Sequence, residues 1–267
     1  MRKGEISILL RKLRLMYITD WLRYYSQKFK NYKSNRKFRK DNPAVILPPD
    51  YLIYESFQIN YNKYYADGLE TAKWLTGRLG KYIELKDRKI LDWGCGPGRV
   101  IRHFPEIIGD SCEYYGTDYN KKSIDWCTEN LTGISFHRNQ LSASLPYGDN
   151  FFDVIYGISI FTHLSEKMHY DWYKELYRIL SPEGIMFLTT QGNNFRKKLT
   201  VSEIIKFNNN ELIVRASIKE GHRTYSAFHP EGFMKKLFVN TTILEHTRPE
   251  PEEGKWLPQD IWIIKKS

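Results

Sequence analysis

Two hydrophobic patterns alternate along the chain from residue 89 to its end. Short apolar runs are followed by stretches in which apolar residues recur every three or four positions. This alternation predicts strands and helices in turn, and hence a parallel sheet with helices on both faces. The predicted strands cover residues 89–93, 113–118, 134–137, 152–158, 185–190, 241–246 and 260–264. We therefore expect an α/β protein with a mostly parallel, seven-stranded sheet.

One segment after the fifth predicted strand does not fit the alternation. Residues 193–229 combine a short predicted helix at 201–207 with a hairpin-like pair at 211–217 and 224–228. Long insertions at the catalytic end of such a sheet usually carry function. We expect this α/β insertion to form a cap that selects the substrate.

The first 45 residues are predicted to form a basic amphipathic helical arm, ahead of a domain that covers residues 46–267. Residues 1–40 contain thirteen Lys and Arg against two acids, and because the whole chain carries a net charge of +10, the domain itself is nearly neutral. A helix from residue 6 to about residue 29 is indicated by apolar positions at helical spacing. These positions are Ile6, Leu9, Leu10, Leu13, Met16, Tyr17, Trp21 and Tyr24.

The arm has three interpretations. A basic helix with Trp and Tyr on its apolar side can lie at an anionic membrane surface. It can equally pack on the domain or on a second subunit, with its charges solvated. Nucleic acid is the least favoured partner, because a nucleic-acid groove would need a basic face on the domain itself.

Composition narrows the class of protein. The chain has 267 residues, of which 41% are hydrophobic and 15% aromatic, which is typical of a globular protein. The three cysteines form no C-x-x-C pair. No apolar run approaches the roughly 18 to 20 residues that span a bilayer, and the start lacks a signal-peptide pattern. We expect a cytoplasmic protein, with the inner face of the membrane as a peripheral contact if the arm binds lipid.

The strongest chemical signal is a glycine-rich loop after the first predicted strand. The loop reads Asp92-Trp93-Gly94-Cys95-Gly96-Pro97-Gly98-Arg99. Glycines let the backbone approach a ligand closely, and such a loop at a strand's carboxyl end builds a nucleotide-type pocket in a Rossmann-like sheet. A dinucleotide fingerprint needs a third glycine where Arg99 stands. The pattern therefore indicates S-adenosylmethionine (SAM), with S-adenosylhomocysteine as product, over NAD; a ligand-free turn is the alternative.

Two further positions fit the same cofactor. Asp118 ends the second predicted strand, where an acid accepts hydrogen bonds from a ribose diol, and Tyr119 follows it. A helix N-cap is the alternative role for Asp118. Asn139, with Gln140 as fallback, follows the third strand and is a candidate for the adenine amino group, although it could be a solvent-exposed loop residue.

The end of the fourth predicted strand is expected to face the methionine part of SAM and the substrate, through Ile158 and Ser159. His163 follows and is the candidate general base for a hydroxyl acceptor, because an imidazole titrates near pH 6.5. The alternatives are that it caps the next helix or contacts SAM. His229 is the second candidate base, and Tyr225 is a candidate substrate-binding residue. No His, Asp and Glu cluster has metal-ligand spacing, so no metal is expected.

The motif series as a whole resembles that of class I SAM-dependent methyltransferases. The segments that carry the resemblance are 92–99, Asp118, 145–153 and 180–184. Three more segments, 47–49 with 64–68, 158–164 and 259–262, are similar to bacterial methyltransferases of polysaccharide and O-antigen biosynthesis clusters. That resemblance implies O-methylation of a sugar, and it implies that Tyr64 or Tyr65 and Gly68 help to cover the cofactor.

The sequence thus predicts a methyltransferase that acts on a hydroxyl of a sugar, glycan or glycolipid-type acceptor. The absence of a [DN]-P-P-[YF] motif and of a cysteine after strand four disfavours the main routes of base methylation. Another small molecule, or RNA recruited by the basic arm, is the alternative acceptor. A SAM-binding scaffold without activity is disfavoured because Asp92, Gly94, Gly96 and Asp118 are all present.

Overall fold

The computed structural model describes residues 3–13, 15–216, 219–254 and 256–267. Its strands are β1 (Lys89–Trp93), β2 (Glu113–Asp118), β3 (Ile134–Arg138), β4 (Phe152–Gly157), β5 (Leu180–Thr190), β6 (Ile213–Arg215), β7 (Ser226–Phe228), β8 (Thr241–Thr247) and β9 (Asp260–Lys266). Within the described residues, seven of them form one sheet in the order β3-β2-β1-β4-β5-β9-β8. The pairs β1–β2, β2–β3 and β4–β5 are parallel, and β9 is antiparallel to β5 and β8. The predicted α/β, Rossmann-like fold is confirmed.

The helices alternate with the strands as predicted, and short polar caps fix where several of them begin. They are α1 (Lys3–Lys12), α2 (Met16–Asp41), α3 (Asp50–Ser56), α4 (Tyr61–Leu79), α5 (Phe104–Ile108), α6 (Lys121–Asn130), α7 (Glu166–Ile179), α8 (Val201–Asn208) and α9 (Glu231–Leu237). Asn60, Asn120 and Ser165 each accept a hydrogen bond from a backbone N–H in the first turn of the helix that follows. Thr200 and Glu203 form a reciprocal capping box at α8.

The chain divides into two compact units. One contains Tyr17–Asn139, and the other combines Met1–Met16 with Gln140–Ser267. We call them the 17–139 unit and the 140–267 unit. The predicted boundary at residue 45 stays a prediction.

In the 17–139 unit, α2 packs through a face that combines polar and aromatic side chains. The side-chain carbonyl of Asn35 accepts from the backbone N–H of Tyr61 at 2.9 Å, and that of Gln27 accepts from Ile59 at 3.0 Å. Phe38 adds an apolar contact near the end of the helix, in a cluster with Ile53, Tyr61 and Tyr64. These bonds satisfy backbone groups at the start of α4, so α2 is part of this unit's framework.

The predicted single helix from residue 6 to about residue 29 is wrong. Two helices, α1 and α2, replace it, and α2 continues to Asp41 through the basic stretch that was expected to lie beyond the helix. Side chains of Gln27, Asn31 and Asn35, which fall outside the apolar pattern, hold that continuation in place. Tertiary hydrogen bonds here outweigh the weak local pattern.

In the 140–267 unit, α1 is held by one buried cation. Arg11 is only 6% exposed, and its guanidinium donates to the backbone carbonyls of Arg215 at 3.1 Å and Thr224 at 2.5 Å. Burial lowers its pKa, and the nearby charge of Arg215 lowers it further. This cation of the predicted arm is therefore used for packing on the hairpin of the insertion.

The fifth strand begins earlier than predicted. β5 begins at Leu180 and not at residue 185, and it includes Glu183 at a φ of 64° and an irregular register against β4. On α4, Trp74 is 42% exposed and lies under the guanidinium of Arg78. Among the described residues, no helix is long and apolar enough to span a bilayer.

Candidate cofactor and catalytic sites

The glycine loop after β1 is folded tightly against the end of β2. The backbone N–H groups of Gly94 and Cys95 both donate to the carbonyl of Thr117, at 2.8 and 2.9 Å. Gly94, Gly96 and Gly98 have φ values of 79°, 53° and 68°, a region that suits glycine. A Cβ at Gly98 would lie 2.6 Å from the Leu131 side chain. Both the turn and its packing therefore depend on glycine.

Asp118, the predicted ribose contact, lies at the end of β2 against the glycine loop, and its contact with a ribose stays a prediction. Its Oδ2 accepts from the N–H of Gly96 at 2.9 Å, and its Oδ1 accepts from the N–H of Asn120 at 2.7 Å. Burial raises the pKa of this carboxyl to about 6, against the opposing effect of the two N–H groups, and Glu55 adds to the rise. Asn120 caps α6, so the alternative role of Asp118 as N-cap is not observed.

Asn139 is brought next to Asp118 by the backbone. Its N–H donates to the Asp118 carbonyl at 3.1 Å, and the residue is 7% exposed, so the alternative of a solvent-exposed loop residue is wrong. Tyr119 is exposed beside it, and so is Gln140 at the start of the following segment. An adenine contact by Asn139, Gln140 or Tyr119 stays a prediction.

Tyr64 and Gly68 support the loop from α4. Tyr64 is fully buried, and its hydroxyl donates to the carbonyl of Pro97 at 3.2 Å. A Cβ at Gly68 would lie 2.5 Å from the carbonyl oxygen of Arg99. The resemblance implied that these residues cover the cofactor; their observed contacts brace the loop, and a covering role stays a prediction.

Three residues of this site were missed by the sequence analysis: Thr117, Asn120 and Glu55. The Thr117 carbonyl anchors the loop, and the amide of Asn120 donates to Glu55 at 2.8 Å. Asn120 could have been found as an N-cap signal one residue before a predicted helix. No sequence signal pointed to Glu55, because α3 reaches β2 only in the folded unit.

The residues present fit SAM. The loop at Gly94–Gly98, which we call the glycine cradle, has its three glycines at positive φ, and a Cβ at Gly98 would clash with the Leu131 side chain. A half-buried carboxylate at the end of β2 is suited to a ribose diol. Asp92 is 5% exposed and Cys95 is 7% exposed. Burial, together with the charge of Asp92, raises the pKa of the Cys95 thiol, so the thiol is a neutral wall of the cradle rather than a nucleophile.

The end of β4, in the 140–267 unit, is held by a polar network. Ser159 has a φ of 67°, and its N–H donates to the Thr189 hydroxyl at 2.8 Å. The Gln259 amide donates to the Ser159 hydroxyl at 2.8 Å and accepts from Thr189 at 2.6 Å. Two of the segments that carry the narrower resemblance, 158–164 and 259–262, therefore meet here. Ile158 is half-buried, and its contact with SAM stays a prediction.

His163 is held in one tautomer by the insertion. Its Nδ1 lies 3.0 Å from the carbonyl oxygen of Tyr225, and because a carbonyl only accepts, Nδ1 carries the proton and Nε2 is an acceptor. Burial lowers the pKa of His163 to about 4, and the charges of Arg223 and His222 lower it further. Ser165, not His163, caps α7, so the capping alternative is not observed.

His229 and Tyr225 are both buried, each being 2% exposed. The Nε2 of His229 lies 2.9 Å from the Nε2 of His169, and burial lowers the pKa of both rings. His169 in turn stacks on Phe161 and bonds to the Ser165 carbonyl at 2.7 Å. Substrate contact by His229 or Tyr225 stays a prediction. His169 was missed because its spacing in α7 reads as an ordinary core position.

Comparison with known proteins agrees with this geometry. Residues 90–184 match a family described as a methyltransferase domain. An uncharacterised methyltransferase of Schizosaccharomyces pombe is 30% identical over 142 residues, which cover 45% of this chain and 49% of that protein. The sterol 24-C-methyltransferase of the same yeast is 28% identical over 102 residues, which cover 36% of this chain and 26% of that protein. The chain thus spans half or less of the length of these relatives.

The fold comparison points the same way. A SAM-dependent methyltransferase from Methanosarcina mazei, at 19% identity, superposes with a TM-score of 0.54 over 71% of this chain and 96% of that one. The glycine cradle and Asp118 lie in the matched segment of the domain family. Residues 90–184 therefore match a methyltransferase domain, and the fold around them is that of solved SAM-dependent methyltransferases.

Proposed function

We propose that this protein transfers the methyl group of SAM to a hydroxyl of a sugar, glycan or glycolipid-type acceptor. The tautomer of His163 is the observation that supports a hydroxyl as the methyl acceptor. A hydroxyl has a pKa far above 7, so its attack on a methyl group is helped by a base. An imidazole whose Nδ1 proton is committed to the Tyr225 carbonyl offers its Nε2 lone pair for that purpose.

Bound SAM supplies a methyl group already activated by its sulfonium charge. The chain's own work is alignment and proton transfer. The Asp118 carboxylate would accept hydrogen bonds from the ribose, and the loop at Gly94–Gly98, folded against the end of β2, would hold the nucleoside in place. His163 Nε2 would accept the proton of the acceptor's hydroxyl as that oxygen takes up the methyl group. Tyr225 acts as a positioning residue through its carbonyl.

His229 is not needed as a base in this scheme. Its Nε2 is engaged by His169 inside the unit, and burial keeps both rings neutral near pH 7. The pair instead supports the segment around Phe161 that leads to His163. We therefore assign the proton-accepting role to His163 alone.

The acceptor class rests on two lines of support. The absence of both main base-methylation motifs favours a hydroxyl, and the resemblance to methyltransferases of polysaccharide clusters favours a sugar. The match to a sterol methyltransferase supports an apolar small molecule as the second candidate. Transfer of radiolabelled methyl to sugar-lipid and sterol panels separates the two candidates, because only one should be labelled.

The role of His163 is tested by His163→Gln, with the exposed His137→Gln as matched control. We expect kcat to fall by about 10²- to 10⁴-fold, the usual contribution of general base catalysis, with SAM affinity changed less than threefold. At saturating SAM, wild-type kcat should hold down to about pH 5, because the pKa of His163 is about 4. An equal loss of kcat and SAM affinity would make His163 a cofactor contact instead.

A further inference from the structure

The outward face of α2 carries a continuous row of large apolar side chains. Among the described residues the row consists of Ile18, Trp21, Leu22, Tyr25, Phe29 and Tyr32. Each is at least 50% exposed, and Phe29 is 88% exposed. We call this row the α2 stripe. At 1.5 Å per residue it extends about 21 Å along the helix, and contiguous apolar surface of this kind usually marks an interaction site.

The stripe is not the face by which α2 packs in its own unit. The packing face lies on the opposite side of the helix and is mixed: Gln27 and Asn35 make hydrogen bonds, Tyr24 packs on Tyr51 and Tyr54, and Phe38 is buried near the end of the helix. Helices at protein surfaces normally bury their apolar face and expose the polar one. In α2 the stripe is a further apolar face that stays exposed in addition to the packing face.

Positive charge surrounds the stripe. The 26 residues of α2 contain eight Lys and Arg but only two acids, Asp20 and Asp41. The hydroxyl of Tyr54 donates to the Asp20 carboxylate at 2.8 Å on the packing side. Lys30, Lys33 and Lys37 are exposed and fall at i, i+3 and i+7 along one edge of the stripe. The exposed surface of α2 is therefore apolar and cationic together.

We propose that the α2 stripe docks on the interface of an anionic phospholipid bilayer. A helix with Trp, Leu and Phe on one side and Lys and Arg beside them lies in the membrane plane, with its apolar side at the boundary between headgroups and acyl chains. Trp21 and Tyr25, whose ring centroids are 4.6 Å apart, have the amphipathic rings that favour the headgroup level. The lysine edge faces anionic headgroups.

Charge argues against a second copy of this chain as the occupant. Face-to-face pairing of two α2 stripes would bring two strongly positive helices together, and like charges across an interface are costly. The aliphatic Ile18 and Leu22 argue against RNA, because single-stranded nucleic acid stacks on aromatic rings and has no use for aliphatic side chains. An anionic bilayer can interact with the aromatic rings, the aliphatic side chains and the positive charges of α2 together.

The test is flotation of the full chain with vesicles of phosphatidylcholine alone or with about one third phosphatidylglycerol, an anionic fraction chosen to attract basic helices. The key variant is Trp21→Ser with Phe29→Ser, and the matched control is Trp256→Ser, an exposed tryptophan outside α2. A second variant, Lys30→Gln with Lys33→Gln and Lys37→Gln, tests the charge. SAM affinity and Tm report folding and remain unchanged, because all of these side chains are exposed.

We expect wild type and Trp256→Ser to float with anionic vesicles and at least tenfold less with neutral ones, and both α2 variants to lose at least tenfold in binding. Equal flotation of the Trp21/Phe29 variant and wild type would overturn the inference. Absence of wild-type flotation would also overturn it if the wild type instead forms a dimer that the Trp21/Phe29 variant does not form. The same holds if the wild type binds a homopolymeric RNA that this variant does not bind. None of these results depends on which acceptor is methylated.

Discussion

At the scale of single residues, the chemistry depends on how the backbone constrains a few titratable groups. Asp118 receives two backbone N–H groups yet keeps a raised pKa because burial outweighs them. His163 is kept neutral by burial and fixed in one tautomer by a carbonyl. The Asp118 carboxyl therefore changes charge near pH 6, whereas the pKa of the His163 imidazole lies below its usual range.

The state of Asp118 predicts how SAM binding depends on pH. Below about pH 6 the free protein holds this carboxyl protonated, whereas a ribose diol favours the ionised form. Binding must then release a proton, so the Kd for SAM should rise as pH falls below 6, by at most about tenfold per pH unit. Calorimetry between pH 5 and 8 measures this slope.

Asp118→Asn provides the control for that experiment. Its affinity should be weaker at pH 8, by about tenfold or more, because an amide replaces a charge-assisted acceptor. Its Kd should also be flat across the same pH range. A wild-type Kd that does not change between pH 5 and 8 would remove Asp118 from the ribose site.

At the scale of elements, the predicted arm is divided between the two units. α1 is fixed to the hairpin of the insertion by Arg11, and α2 is fixed to the start of α4 by Asn35 and Gln27. Both contacts are made by polar side chains to backbone groups, so neither follows from hydrophobic periodicity. The basic residues of the segment consequently have different roles. Arg11 is buried in a packing contact, whereas Lys30, Lys33 and Lys37 are exposed along one edge of the α2 stripe.

Replacing Arg11 tests the role of α1. Arg11→Ala removes the hydrogen bonds that this charged donor makes to the carbonyls of Arg215 and Thr224, together with a longer one to the Ser7 hydroxyl. We expect the free energy of unfolding, measured by chemical denaturation, to fall by about 1–3 kcal/mol. The exposed neighbour Lys12→Ala is the matched control and should change stability by less than about 0.5 kcal/mol. Equal effects of the two substitutions would contradict the contact.

At the scale of the whole molecule, residues 1–40 cannot be regarded as a removable appendage. Their deletion would remove Phe38 from its cluster with Ile53, Tyr61 and Tyr64, and it would leave the backbone N–H groups of Ile59 and Tyr61 without their acceptors. We expect a loss of at least about 3 kcal/mol of stability from these groups and the burial of Phe38. For a chain of this size that corresponds to a fall in Tm of roughly 6–12 °C.

Calorimetry of the deletion variant against the full chain checks this expectation. The Trp21/Phe29 variant is the control, because it alters α2 only on its exposed face and should keep the Tm of the full chain. A deletion variant with unchanged Tm would mean that α2 does not stabilise its unit.

The sequence by itself determined the order of strands and helices, the glycine loop and the acid at the end of β2, because these follow from local periodicity, backbone requirements and spacing. It also determined SAM over a dinucleotide. Only the tertiary structure decided that Glu55 and Asn120 support Asp118, that His163 is oriented by Tyr225, and that α2 is held by hydrogen bonds to Gln27 and Asn35. Such contacts join residues far apart in the chain, and hydrogen bonds to backbone groups leave no periodic trace in the sequence.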